Sequence, residues 1–257
     1  MRANSVKRQL ELGGRVINGW CSLGSSHVAE ILGHQGYDSL TIDLQHGAMG
    51  YETAFQMLQA ISATPAVPMV RVPWNEPGIV MKLLDAGAMG VICPMINSRA
   101  EAEAFVGAGR YPPAGYRSFG PNRVVQYAGA DYAAHANAEV LLFAMIETRA
   151  GLAALDDILD VPGLDGIYVG PGDLSLALGE QPSMAPTATV VVDAMARILA
   201  RTLAKGRIAA VHTDGAATAG QRFREGFQLC TLQNDTRLLI NAASAQVRAT
   251  RTAVDGP

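Results

Sequence analysis

Lysine is nearly absent from this 257-residue chain: only Lys7, Lys82 and Lys205 occur. Lys7 lies in a polar amino-terminal stretch, Lys82 sits within a helical pattern and Lys205 ends another, so no lysine closes a strand. A Schiff-base mechanism therefore lacks its nucleophile. Cysteine is as scarce. Cys21, Cys93 and Cys230 are far apart, lie in or beside apolar runs and have no C-x-x-C spacing, which reads as buried, reduced thiols in a cytosolic protein. No apolar run approaches the ~20 residues that a membrane helix needs, and the start, MRANSVKRQLELGG, has no apolar region of the secretory kind. The net charge is only −3 and no basic cluster is present, which argues against nucleic acid as the main partner. No GxGxxG follows the first strand and no short repeat is visible, which disfavours an open dinucleotide-binding sheet and a solenoid.

What is there is apolar and alternating. Hydrophobic residues make up 49% and charged residues 17%, enough for one large core spanning a single domain, residues 1–257. Strand-like runs fall at 16–23, 40–44, 66–72, 90–94, 140–146, 165–169, 208–211 and 229–232. Helical patterns follow each: one after Ser25 or Ser26 that Gly36 stops, then 51–63, one opened by Asn75 or Glu76, one capped by Ser98, then 151–158, one from near Leu174, 189–205, 216–225 and 236–250, with a loose tail. Eight strand–helix units imply parallel strands with helices outside, and closure gives a (β/α)8 TIM barrel. The segment 111–129, with YPPAGYRSFGPNRV, is longer than an ordinary connector and reads as a lid, a binding loop or an arm at a subunit contact.

The stretch TIDLQHGAMG, 41–50, organises the chemistry. A strand ends in Asp43, Gln45 and His46, and strand ends of this kind carry the active sites of barrels. Arg71, Glu147 and Asp173 stand at or just past later strand ends. Two carboxylates with open positions left for water and substrate suit Mg²⁺ or Mn²⁺ rather than a structural zinc. Either acid can instead serve a helix amino terminus, Asp173 as a cap before LSLAL. The turn GPGD has glycines at 170 and 172, where backbone N–H groups can approach an anion at a helix start. A divalent ion could hold a 2-oxo acid and acidify its C3 proton, with Arg71 stabilising the enolate and His46 as base. His27 and His34 read as exposed helix residues.

The chain resembles the class II, metal-dependent pyruvate aldolases of the HpcH/HpaI family, which includes 4-hydroxy-2-oxoheptanedioate and 2-dehydro-3-deoxyglucarate aldolases. The resemblance is carried by IDLQHG at 42–47, VRVPWNEP at 70–77, LLDAGAMGVICPMINSRAEAE at 83–103, RYPPAGYRSFGP at 110–121, MIETRAGL at 145–152 and LDGIYVGPGDLSLALG at 164–179. It implies cleavage of a 4-hydroxy-2-oxo acid to pyruvate, or a hydroxypyruvate-like 2-oxo acid, and an aldehyde, with a divalent ion (Mg²⁺, Mn²⁺ or Co²⁺) as cofactor. His46 matches the base, Arg71 the enolate-stabilising arginine, and Glu147 and Asp173 the metal carboxylates. Gly172 and Asp173 match backbone donors to the substrate carboxylate. Asp85 matches an aspartate that supports the histidine from a neighbouring subunit. The resemblance also implies a homo-oligomer, a hexamer built as a trimer of dimers with exchanged C-terminal helices.

Three positions depart from the family pattern. Gln45 replaces a common glutamate, Met145 stands where a substrate-contacting glutamine is usual, and His212 ends strand seven where an aliphatic residue is common. These leave the pyruvate half of a site intact and bear on aldehyde specificity. Two other functions fit the same barrel. An acyl-CoA ester lyase of the citrate-lyase-like type would want a basic surface for the CoA phosphates, which the sequence does not offer. A non-catalytic metabolite-binding barrel is permitted by Gln45 and Met145.

Overall fold

The computed structural model describes residues 1–255. Eight parallel strands close into a barrel in chain order. They are β1 Val16–Cys21, β2 Ser39–Asp43, β3 Val67–Arg71, β4 Gly90–Cys93, β5 Leu141–Ile146, β6 Gly166–Val169, β7 Ile208–His212 and β8 Leu229–Asn234. Parallel pairing of β1 with β8 completes the ring. The TIM barrel expected from the alternating pattern is thus the fold, with strand ends shifted by two residues at most.

Successive side chains of a strand point to opposite faces, and this parity sorts the barrel. Outward residues such as Leu40, Ile42, Val70, Leu142, Ala144, Ile146, Ile167 and Val211 pack against the helix ring. Inward residues Val16, Trp20, Val67, Met69, Leu141, Phe143, Met145, Tyr168 and Leu229 form a second core inside the barrel. The inward series therefore climb as 39–41–43 on β2, 67–69–71 on β3, 141–143–145–147 through β5 and 208–210–212 on β7. Asp43, Arg71, Glu147 and His212 stand at the top of those series, on the carboxyl-terminal rim.

Outside the segment between the fourth and fifth strands, the helices depart from expectation in four places. Helix Ser5–Glu11 precedes the barrel, and its buried Val6 and Leu10 join the interior core. Asn4 caps it, accepting from Lys7 N at 3.2 Å, and donates to the carbonyls of Met89 and Glu139. The segment expected as one helix at 151–158 is two, Arg149–Ala153 and Leu155–Leu159. The helix after β6 starts at Pro171, three residues before Leu174, because proline fits the first helical turn. The last helix, Asp235–Asp255, runs through most of the expected loose tail.

The 111–129 segment joins the helix Arg99–Gly109 to β5, so it enters the barrel at the amino-terminal end, opposite the rim. It contains the helix Val124–Ala128, with Tyr132–Glu139 close behind. Arg117, fully buried, anchors it by donating to Asp85 Oδ1 (2.6 Å) and Tyr132 Oη (2.9 Å). A lid over this chain's own rim is excluded by that position. All three cysteines are free and buried, and burial raises each thiol above its ordinary value. No helix among the described residues is long and apolar enough to cross a membrane.

Candidate active site

A cavity of about 570 Å³ opens at the rim. Of the residues expected to carry function, His46, Arg71, Met145, Glu147, Gly172, Asp173 and His212 line it. Asp85 and Gln45 do not. Asp85 ends the helix Pro77–Asp85, where its carboxylate takes Arg117 at 2.6 Å. Burial raises its carboxyl above the ordinary value against the lowering effect of Arg117. Gln45 lies past the end of β2, in the turn that carries residues 44–46, and its Oε1 is buried without a partner.

Arg71 is fixed by a residue whose part the sequence reading missed. Asp43 accepts from Arg71 Nε at 2.8 Å and Nη2 at 2.6 Å, a two-pronged pair buried on both sides. Trp20 Nε1 donates to the same carboxylate at 3.1 Å, and the Arg71 guanidinium lies 4.8 Å from the Trp20 ring centre. Burial pushes the Asp43 carboxyl up, but the bonds from Arg71 and Trp20 outweigh it and hold the group below its ordinary value. Nη1 of Arg71 has no protein partner among the described residues and remains available to the cavity. The signal was in the parity: Asp43 stands two residues beyond Thr41, facing the Arg71 of the neighbouring strand in register.

Glu147 is the most perturbed acid. It is 2% exposed. Oε1 accepts from Met95 N at 2.9 Å, and Met95 holds φ at 56°, a conformation uncommon for a side-chain-bearing residue. Oε2 is buried with no partner. Burial, with the negative charge of Asp173, pushes its carboxyl up to about 7 against the bond from Met95. A β-carbon on Gly170 would overlap that Oε2, so glycine there makes room for the carboxylate. Asp173 is exposed, in the first turn of Pro171–Leu178, whose leading N–H groups include those of Gly172 and Asp173. A β-carbon at position 172 would sit 3.1 Å from Met184 Cε, the flexible end of that side chain.

These donors suit a hard cation. Glu147 and Asp173 are two carboxylates, one with an oxygen left unpaired, and no cysteine lines the cavity. No cluster of three or more His, Cys, Asp or Glu side chains that could hold a metal forms among the described residues, so further positions would fall to water and ligand oxygens. His46 is exposed on the cavity edge, its side chain without a protein partner.

The inward residues below the rim are also polar. Asn18, Ser39, Thr41, Tyr168 and Thr231 are buried inside the barrel and bonded to one another, and Tyr168 Oη meets His212 Nδ1 at 3.1 Å. Burial, with Arg71 nearby, pushes the His212 imidazole down to about 4.

Known proteins share this barrel and its sequence. The chain is 40% identical over 246 residues to a hydroxypyruvate/pyruvate aldolase of Rhizorhabdus wittichii, covering 96% of this chain and 98% of that protein. It is 35% identical over 250 residues to a 4-hydroxy-2-oxo-heptane-1,7-dioate aldolase of Salmonella dublin, covering 94% and 92%. A crystal structure of a HpcH/HpaI aldolase/citrate lyase family protein from Burkholderia cenocepacia superposes with a TM-score of 0.90 at 33% identity, covering 96% of this chain and 99% of that one. Residues 17–242, from the first strand into the last helix, match a single family description. With fold and sequence in agreement, this chain belongs to the HpcH/HpaI aldolase/citrate lyase family.

Proposed function

We propose that the protein is a divalent-metal-dependent aldolase. It reversibly cleaves a 4-hydroxy-2-oxo acid to an aldehyde and pyruvate, or the hydroxypyruvate that the name of the Rhizorhabdus relative suggests. The observation that carries this reading is Glu147, buried at the cavity with one oxygen unpaired, beside Asp173 and within the field of Arg71. Glu147 and Asp173 would hold the ion, with Mg²⁺, Mn²⁺ or Co²⁺ as candidates. When bound, the ion supplies a Lewis acid that lowers the energy of negative charge on the 2-oxo group.

The chain's own groups do the rest. The N–H groups of Gly172 and Asp173, at the positive end of a helix, receive the substrate carboxylate. Arg71, held by Asp43, aims a fixed positive charge at the oxygen that becomes anionic; a preformed charge costs no reorganisation as the reaction proceeds. In cleavage His46 takes the proton of the C4 hydroxyl, the C3–C4 bond breaks to release the aldehyde, and its electrons pass into the enolate. A proton returned to C3 completes the 2-oxo acid. Asp85, paired with Arg117 away from this cavity, would support a histidine only of a neighbouring copy, so we include a homo-oligomer in the proposal. The exposed Leu239, Ile240 and Val247 of the last helix favour it.

The test is pyruvate or hydroxypyruvate release from a panel of 4-hydroxy-2-oxo acids, using chelator-treated protein with each metal restored. Release that needs both metal and His46 supports the assignment. Equal release by His46→Ala would remove the histidine from the mechanism.

A further inference from the structure

Inside the barrel the buried polar side chains form one unbroken path to the cavity. Ser39 Oγ and Thr41 Oγ1 donate to Asn18 Oδ1 at 2.8 and 3.1 Å. Asn18 Nδ2 donates to Thr231 Oγ1 at 2.8 Å. Thr231 Oγ1 and Tyr168 Oη lie 2.6 Å apart, and Tyr168 Oη lies 3.1 Å from His212 Nδ1. The aldolase reading leaves this path without a role.

Counting protons fixes its direction. Two hydroxyls must donate to Asn18 Oδ1, since no other acceptor is in their reach among the described residues. That sets the amide, so Thr231 Oγ1 receives Nδ2–H. If Tyr168 also donated to Thr231, the Thr231 proton would be buried with no acceptor, a costly arrangement. If instead Thr231 donates to Tyr168 and Tyr168 donates to His212 Nδ1, every hydroxyl proton on the path is used. His212 is then neutral with its proton on Nε2. The depressed imidazole value, about 4, agrees with a neutral ring. Nε2 has no protein partner among the described residues and is not among the buried unpartnered atoms. His212 lines both the rim cavity and an adjoining one of about 540 Å³. Its ring meets Trp20 edge to face, centres 4.9 Å apart, so it cannot swing freely.

Resting on the aldolase reading, we propose that His212 determines aldehyde specificity as a locked Nε2–H donor that binds a hydroxyl group next to the aldehyde carbon. An uncharged donor suits an uncharged acceptor. The adjoining cavity agrees: its lining carries one cation, Arg237, and one anion, Asp214, together with the amides of Gln233, Asn234 and Asn241. A hydroxylated, uncharged aldehyde tail fits this lining better than an alkyl chain, which would strip water from the donor without replacing its bond.

Two measurements test it. The first is the ratio of kcat/KM for glycolaldehyde over propanal, aldehydes of similar size, in aldol addition. His212→Phe keeps the ring against Trp20 and should lower this ratio roughly tenfold. The second is the ¹⁵N spectrum of histidine-labelled protein. His212 should show the proton on Nε2 and an acceptor Nδ1, and Tyr168→Phe, which removes the donor to Nδ1, should redistribute the proton between the two. A ratio unmoved in His212→Phe, or a wild-type proton on Nδ1, overturns the proposal. Metal-dependent exchange of pyruvate methyl protons on wild-type protein separates the two readings: without it the aldolase assignment fails, and the ¹⁵N spectrum still decides the state of His212.

Discussion

Asp43 takes two nitrogens of Arg71 and the indole N–H of Trp20 on one carboxylate, so the cation at the cavity wall is aimed by a buried anion. Removing one partner of such a pair leaves a buried charge uncompensated, at a cost of about 3–5 kcal/mol. Asp43→Asn should therefore lower stability to denaturant by a few kcal/mol and slow turnover at least tenfold, because Arg71 loses its fixed direction. Unchanged kcat with a stable fold would show that Arg71 needs no such support. Glu147 gives a pH prediction. Its folded value, about 7, lies above the ordinary 4.5, so the native metal-free protein binds a proton that the unfolded chain has released. Its stability should fall as pH rises from 4.5 to about 7. A divalent ion competes with that proton, so its affinity should weaken about tenfold per pH unit below 7. Calorimetric titration with Mn²⁺ on either side of neutrality checks this, and a flat profile would mean that Glu147 is not a ligand.

At the scale of the element, strand parity decides what reaches the rim. Arg71, Glu147 and His212 were legible in the sequence because each ends a strand-like run. Asp43 was visible in the same motif, but its service to Arg71 depends on the register of β2 against β3, which no local pattern encodes. Asn18, Ser39 and Thr41 alternate with apolar residues, a pattern that fits a half-exposed strand equally well, and only closure of the barrel turns that polar face inward. Helix Ser5–Glu11 was hidden in a polar stretch whose apolar residues, Val6 and Leu10, are spaced one turn apart. At the end of β6, Gly170 is dictated by the carboxylate packed over it. Gly170→Ala should displace Glu147 Oε2 and weaken Mn²⁺ binding tenfold or more with little change in fold content. Mn²⁺ affinity equal to wild type would place the ion elsewhere.

Across the whole molecule, the barrel was legible from eight alternations, while the relation of Asp85 to the site was not. Asp85 lies off the cavity of its own chain, and only an assembly of chains could bring it to a histidine. If the rim is shared, His46→Ala and Asp85→Ala subunits should each be nearly inactive alone, and co-expressed mixed oligomers should regain a measurable fraction of activity. No recovery in mixed oligomers would mean that each rim works alone. Whether Arg71, Glu147 and Asp173 together support enolate formation from a 2-oxo acid can be measured without any aldehyde. Metal-stripped protein in D₂O is followed by NMR at the methyl group of pyruvate, with and without Mg²⁺, Mn²⁺ or Co²⁺. The expected result is proton exchange that requires the metal and is lost in Arg71→Ala. Folded wild-type protein that exchanges nothing with any metal, or Arg71→Ala that exchanges as fast as wild type, would contradict it.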